Sequence, residues 1–516
     1  MSYEPEGARG RGGEWASGRV FTRLPAYPPT RLLTYPLPRS LWLMAHRCFS
    51  GSSLLMNRRF VGNPIGLLIL ITVGGAALRF WHLGVWSFWI DEVLTVLDAQ
   101  QFSLQNLRIN PVPYLLVKTS IALTGKSEWG ARFIPCFFGV MTIPLIFWFG
   151  RTLFNTAVGL FAASFLACSS WHLFWSQNAR GYVFTAFFAT LSAWLFFLGI
   201  QRQQLRFILG ALGATVLLIL SHTLSGVIIL AFAGYALWVW RQEGLARPSI
   251  LLAYFLPFVA PVLLLAFPQF RAYLFSGWGV NIWQRSPAYV VMTLVHGLSV
   301  PIFVVACLSA LSTRMKRETV FLCCYALIPL LFFLIASQFL NVAGYYLFFT
   351  TPVYWVLAAV GCARVRESNG LPVFLRWALP SVLIAGSLAQ SYLYFRVENG
   401  GRPKWREAFS VIRSEMRPDD LIVVTVPRVS EYYLPELQPV FVKPVVEHPE
   451  KFERTWLETH ARVWFVVDAG SFDVFDAQGE FRRWVRQRAR LVESLPVFAR
   501  AMNRTIDVYL VDWGEE

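Results

Sequence analysis

The sequence predicts a polytopic α-helical membrane protein that carries a small α/β domain outside the membrane, and three observations predict it. Apolar residues make up 56% of the 516 positions and charged ones only 15%, with a mean hydropathy of +0.49, a balance of membrane-embedded chains rather than soluble domains. From residue 61 apolar segments follow one another, each near the length of about 20 residues that a bilayer demands. At Arg396 the character changes, as charge rises and strand-like runs begin. In a soluble protein the net charge of +16 would suggest a nucleic-acid partner. Here the basic residues sit largely in short loops between apolar segments, where they report orientation. The seven cysteines, Cys48, Cys136, Cys168, Cys307, Cys323, Cys324 and Cys362, all precede residue 396 and lack paired metal-ligand spacing, which argues against a disulfide framework or a zinc ribbon.

Residues 1–57 are rich in Arg, Gly, Pro and Ser without helical periodicity, so a disordered basic segment is expected. No charged start leads into a compact apolar core with a cleavage site, so it does not read as a signal peptide. Met56-Asn57-Arg58-Arg59 before the first apolar segment reads as a natural translation start. Eleven spans are expected, near 62–81, 133–150, 155–175, 182–200, 206–222, 223–240, 249–268, 289–311, 319–338, 345–363 and 372–394. Together they make a membrane domain over 58–395 with an outer loop at 82–132. The run from Pro111 to Gly125 is too short to cross, opens with two prolines and contains Lys118, so it reads as an interfacial helix. Charge supports that choice. With this run outside the count, Arg58, Arg59, Arg151, Arg202, Arg206, Arg241, Arg247, Arg314, Lys316, Arg317, Arg364 and Arg366 all share one side, which is the cytoplasm. The N-terminus then lies inside and residues 396–516 outside a plasma (inner) membrane. The outer loop from Pro268 to Ser286, with Arg271, Tyr273, Trp278, Trp283 and Arg285, reads as an amphipathic surface piece fitted to a lid or acceptor role, or as a plain anchor. Strands are expected over 421–426, 462–469 and 506–513, and helices near 404–416, 449–460 and 475–494. That alternation gives the C-terminal α/β domain, read as an acceptor-recognition or partner module.

The same parity gathers polar residues on the outer face. Asp91 and Glu92 lie in an aromatic setting, Trp86-Ser87-Phe88-Trp89-Ile90-Asp91-Glu92, and carboxylates at a membrane edge are costly unless they serve a function. The plain alternative is that Asp91 caps a helix beginning at Glu92. Gln177, Arg180 and Tyr182 follow the third span, His222 the fifth, and Tyr345 and Tyr346 open the tenth. Singly, Arg180 could be an interface anchor and His222 a hydrogen-bonding turn residue; together they are expected to converge. His82, His172 and His296 also lie towards the outer face, but no two histidines share a ligand-like spacing with a carboxylate. No cofactor is expected, with a divalent metal ion as the alternative.

The order of these segments carries a resemblance. An Asp-Glu first outer loop, a Pro-x-Pro-Tyr-Leu-Leu helix ending at Gly125, Ser127-Glu128-Trp129-Gly130-Ala131-Arg132-Phe133, then Ser176-Gln177-Asn178-Ala179-Arg180-Gly181-Tyr182 is similar to the membrane glycosyltransferases of the C superfamily. The chain most resembles the bacterial family 39 branch, relatives of protein O-mannosyltransferases and of the lipid A aminoarabinose transferase. The resemblance covers about residues 58–430, including Pro403-Lys404-Trp405-Arg406-Glu407-Ala408. It implies a polyprenyl-phosphate-linked sugar as donor, transfer on the outer face, Asp91 as the base near the acceptor, and Arg180 near the donor phosphate. Three positions depart from the family pattern: Asn110-Pro111-Val112-Pro113 stands for His-Pro-Pro-Leu, Asn178 for the usual Glu, and Tyr345 for an Arg that often precedes Tyr.

The chemistry has its own logic. A polyprenyl phosphate leaves as a stable anion and needs mainly positive charge and hydrogen bonds, which Arg180, His222 and Tyr346 could provide, with Tyr182, Gln177 and Tyr345 beside them. The attacking hydroxyl needs a base within reach, Asp91 first and Glu92 second. A single displacement would invert the anomeric centre. Trp86, Phe88 and Trp89 would wall the site. The expected function is therefore transfer of a hexosyl or pentosyl unit to a lipid, glycan or protein acceptor in cell-envelope glycosylation, without nucleic acid. The alternatives are a flippase for lipid-linked sugars and a catalytically inactive scaffold.

Overall fold

The computed structural model describes residues 63–103, 109–244, 247–264, 266–274, 286–312, 316–436, 439–442, 460–470, 476, 478–499 and 502–512. The N-terminal segment 1–57, the tryptophans and Arg285 of the loop at 268–286, and the helix expected over 449–460 apart from its last residue lie outside them.

Each of the eleven apolar segments is helical. Six helices are long and apolar enough to cross a membrane: Glu128–Leu153, Tyr182–Arg202, Thr223–Glu243, Arg317–Ala336, Gly344–Glu367 and Val373–Arg396. Two bent pairs pass the same test, Thr156–Cys168 with Ser170–Ser176, bent by 63°, and Pro287–Leu298 with Val300–Ser312, bent by 100°. Pro64–Phe80, Leu205–Ser221 and Pro248–Leu264 are shorter apolar helices. Among the described residues, length and composition alone thus give six to eight spans, against the eleven expected. The difference comes from segments of 17 residues, which reach only about 25 Å at 1.5 Å per residue and fall just short of a hydrocarbon core of about 30 Å.

The break at Ser169 shows how a bent helix is tolerated in an apolar environment, where freed carbonyls need partners. Arg79, buried in the last turn of the first helix, donates from Nη1 to the carbonyl of Ala167 and from Nη2 to that of Leu166, both at 3.0 Å. Ser391 Oγ donates to the carbonyl of Cys168 at 2.8 Å. Three consecutive carbonyls at the kink are thereby satisfied.

Outside the bundle lie α1 (Ile90–Gln101) and α2 (Pro111–Thr124), which pack on each other. At 14 residues, α2 ends at Gly125 with φ +92° and is too short to span. The C-terminal sheet has the order β2-β1-β3-β5-β4, with β1 (Leu421–Val424), β2 (Val440–Phe441), β3 (Arg462–Asp468), β4 (Arg490–Leu495) and β5 (Ile506–Asp512). β1 runs parallel to β2 and β3, and β5 antiparallel to β3 and β4. Every residue of β3 is buried, because the two faces pack against different helices. Trp464 and Val466 join Trp405, Phe409 and Ile412 of α3 (Trp405–Glu415), while Val463, Phe465 and Val467 join Phe481 and Val485 of α4 (Glu480–Arg488). This is the period-2 alternation of a strand covered on both sides.

One expectation is corrected. The helix anticipated over 475–494 stops at Arg488, and 490–495 is strand β4. The apolar pair Phe481 and Val485 is followed at the next helical step by Arg488, while Val492 and Leu495 pack inward, so burial favours the strand.

The α/β region shares a core with the outer loop. Phe88, Val93, Val96 and Ala99 cluster with Trp405, Phe409, Ile422 and Val424. Tyr433 donates to Glu128 at 3.0 Å and accepts from the Phe88 amide at 2.7 Å.

Candidate active site

Two neighbouring carboxylates on one helix take opposite roles because successive α-helical residues point roughly 100° apart. Helix α1 begins at Ile90 with Trp89 as an N-cap that makes no side-chain cap bond. Asp91 is therefore not the cap; it sits inside the first turn, where a negative charge complements the helix dipole.

Glu92 turns inward and is fully buried. Arg132 donates from Nε to its Oε1 at 2.7 Å and from Nη2 to its Oε2 at 2.8 Å. Arg402 Nε donates to Oε2 at 3.0 Å and the Ala179 amide to Oε1 at 2.9 Å. Burial opposes the charge, but the two guanidiniums outweigh it and hold the Glu92 carboxyl below its usual pKa. Arg132 spends its other donors on the carbonyls of Leu83, Trp86 and Ser87. Glu92 thus ties the outer loop, the helix Glu128–Leu153, the Ala179 turn and the start of the C-terminal region together, with no lone pair turned to a substrate.

Arg402 reaches Glu92 through a turn at Asn399–Gly401. Gly400 has φ +64°, and a Cβ there would lie 2.3 Å from the Trp86 ring, so only glycine fits. Trp86 is consequently a plug against Tyr394 and Phe395, and Phe88 lies under the Arg132 guanidinium. Of the three aromatics expected to wall the site, Trp89 packs 6.3 Å from Phe174, which in turn packs on Trp175.

Asp91 points the other way, towards Arg180, with Oδ2 and Nη2 3.9 Å apart and both side chains 27% exposed. Arg180 Nη1 donates to Thr95 Oγ1 at 3.0 Å, and Thr95 donates to the Asp91 carbonyl at 2.9 Å. Thr95 stands four residues after Asp91 on the same helix face, which sets Arg180 against the acid. Burial disfavours the charged guanidinium, but Asp91 and the surrounding phenols outweigh it and raise the Arg180 pKa. Gly181 lets this turn close, since a Cβ would meet Pro113 and the Ser221 carbonyl, each at 2.8 Å. Asn110 Oδ1 then accepts from the Thr223 amide and hydroxyl, both at 2.9 Å, fixing the turn that carries His222.

Around the pair the expected rings do converge. Tyr182 lies 5.4 Å from His222 and 5.2 Å from Tyr345, and Tyr346 lies 5.1 Å from His222 and 5.2 Å from Tyr345. Trp175, not foreseen, packs on Tyr182 at 4.2 Å and on Tyr345 at 5.7 Å. Burial, then Arg180, lowers the His222 pKa to about 4, so the ring is neutral near pH 7; its Nδ1 is shut from solvent without a partner. The buried Asn178 amide also lacks partners at both atoms.

Gln177 stands apart from this group. It is fully buried, donates to the carbonyls of Arg79 and Trp81 and accepts from Tyr394 at 2.8 Å, which makes it a brace between spans. Among the described residues no three His, Cys, Asp or Glu side chains come together as a metal site. Arg132 stood in the quoted motif without an assigned role. Arg402 had one signal, the glycine pair before it.

Residues 110–265 match the family model of dolichyl-phosphate-mannose-protein mannosyltransferase. The structure is similar to that of ArnT from Cupriavidus metallidurans in the apo state, at 14% identity and a TM-score of 0.53, covering 86% of this chain and 98% of that one. The same protein bound to undecaprenyl phosphate matches at 15% identity with the same TM-score and coverage. The Archaeoglobus fulgidus oligosaccharyltransferase in the apo form matches at 14% identity and a TM-score of 0.52, over 81% of this chain and 70% of that one. A sequence comparison with curated proteins finds no match. The resemblance read from the sequence therefore holds: the chain has the fold of the C-superfamily membrane glycosyltransferases and is similar to ArnT.

Proposed function

We propose that the protein is a polyprenyl-phosphate-sugar-dependent glycosyltransferase acting on the outer face of the plasma membrane, with the N-terminus inside and the α/β domain outside. The observation that carries this reading is the pairing of Asp91 with Arg180 inside a wall of Tyr182, His222, Tyr345 and Tyr346, contributed by four separate stretches of chain. The fold shared with a protein solved bound to undecaprenyl phosphate supports the donor class. Asp91 accepts the proton of the acceptor hydroxyl as its oxygen bonds to the anomeric carbon. The bond from that carbon to the phosphate oxygen breaks on the opposite side, and the polyprenyl phosphate departs as an anion stabilised by Arg180. One displacement of this kind inverts the sugar. Neutral His222 and the phenols contribute hydrogen bonds and a stacking surface for the sugar. Glu92 and Gln177 hold the framework, leaving Asp91 as the base.

The test is the full-length protein in proteoliposomes, given a radiolabelled polyprenyl-phosphate sugar. Release of polyprenyl phosphate that is lost in Asp91→Asn is the expected result. Movement of intact donor across the bilayer would replace the enzyme with a flippase, and neither outcome would leave a scaffold.

A further inference from the structure

The hairpin of the two-residue strands Phe498–Ala499 and Met502–Asn503 rests on the Asn399–Gly401 turn. Arg504 closes it, its amide donating to the Val497 carbonyl at 2.8 Å. The Arg504 guanidinium lies over the Trp89 ring, 5.8 Å from its centroid, two residues before Asp91. Its Nε is shut from solvent and has no hydrogen-bond partner, and its Nη2 reaches the Met502 sulfur at 3.7 Å. Burial and the neighbouring Arg402 disfavour its charge while Asp468, Asp91 and Glu398 favour it, yet among the described residues none of these carboxylates comes within ion-pair distance. The residue as a whole is half-buried, and its dry Nε gains a partner only when an anion arrives.

The surroundings indicate where the anion would come from. Trp89, whose indole N–H is itself buried and unpartnered, packs on Phe174; Phe174 packs on Trp175 at 4.8 Å, and Trp175 on Tyr182 and Tyr345. One aromatic wall thus has Arg180 at one end and Arg504 at the other, with Asp91 between them in its electrostatic reach.

We propose that Arg504 is a substrate-binding residue, the second guanidinium to meet the phosphate of the lipid-linked donor, brought to the membrane site by the C-terminal hairpin. The proposal rests on the polyprenyl-phosphate reading above. Arg180 is partly neutralised by Asp91, so a second cation that no carboxylate among the described residues pairs with directly supplies the charge-assisted hydrogen bonds that one arginine cannot. The α/β domain becomes a part of the site.

The test measures binding of radiolabelled undecaprenyl phosphate, and of the uncharged polyprenol as control, to the full chain in phosphatidylcholine nanodiscs. Arg504→Gln is expected to weaken phosphate binding about tenfold or more, Arg504→Lys to recover part of the loss, and neither to change polyprenol binding. Unchanged phosphate binding in Arg504→Gln overturns the proposal, as does an equal loss of phosphate and polyprenol, which marks a structural role. An effect confined to the KM of the acceptor also overturns it and moves the residue to the acceptor. If the wild type binds no undecaprenyl phosphate, or Arg180→Gln binds it normally, the reading of the site itself falls first, which the Arg504 variants alone would not cause.

Discussion

Asp91→Asn should separate donor binding from turnover in opposite directions. In the protein as it stands the carboxylate and the Arg180 guanidinium are 3.9 Å apart. At that separation two unit charges attract by about 1 kcal/mol in water and about 4 kcal/mol at an effective dielectric of 20. Both side chains are 27% exposed, and the guanidinium hydrogen-bonds to the Asp91 carbonyl at 3.5 Å rather than to its carboxylate, so the lower figure applies, about 1 kcal/mol. A donor phosphate must compete with Asp91 for this guanidinium. Removing the charge therefore tightens polyprenyl phosphate binding about fivefold, while loss of the base lowers kcat roughly 100- to 10,000-fold. The assays are equilibrium binding of undecaprenyl phosphate in nanodiscs and single-turnover sugar transfer in proteoliposomes. A variant that transfers sugar at the wild-type rate refutes the base assignment. One that binds the lipid phosphate more weakly refutes the placement of that phosphate on Arg180.

Three further outcomes follow from the geometry. Glu92→Gln leaves the buried guanidiniums of Arg132 and Arg402 without their shared counter-charge, a loss of about 3–5 kcal/mol, visible as a large drop in Tm in detergent; an unchanged Tm would show that the clamp does not hold the outer loop. Gly400→Ala forces a side chain to φ +64° and into Trp86, costing about 2–4 kcal/mol, whereas Gly386→Ala, with nothing within 4 Å, leaves Tm unchanged or raised. His222 has a folded pKa lowered to about 4 against about 6.5 when unfolded. The unfolded chain therefore takes up the proton first as pH falls, so the histidine costs nothing above about pH 6.5 and destabilises progressively down to about pH 4. His222→Gln should flatten that part of the stability curve, and should leave the shape of the rate profile between about pH 5 and 8 unaltered; a rate inflection that disappears in the variant would mean the ring titrates in the working enzyme.

The parts of this molecule legible in the sequence are those with a local period or an unavoidable charge cost. Apolar runs near the bilayer length mark each of the eleven helical segments, and an arginine or carboxylate just beyond such a run marks Asp91, Arg180 and the rings that meet them. What stays hidden depends on a fraction of a helical turn or on contacts hundreds of residues apart. Asp91 and Glu92 look interchangeable as letters, and only the start of the helix at Ile90 decides which one meets Arg180 and which disappears between Arg132 and Arg402. Gln177 and Arg180 belong to one motif, yet three steps around a turn send one into the bundle and the other to the site. The kink at Ser169 has no proline to announce it; its partner is Arg79, a charge inside an apolar helix that demands partners and finds them in the carbonyls that the kink releases. The same accounting separates the arginines near the site. Arg132 and Arg402 are discharged by Glu92, Arg79 by backbone carbonyls, and Arg180 in part by Asp91. Arg504, between a two-residue strand and the sheet, carries no sequence signal, and among the described residues no carboxylate pairs with it directly.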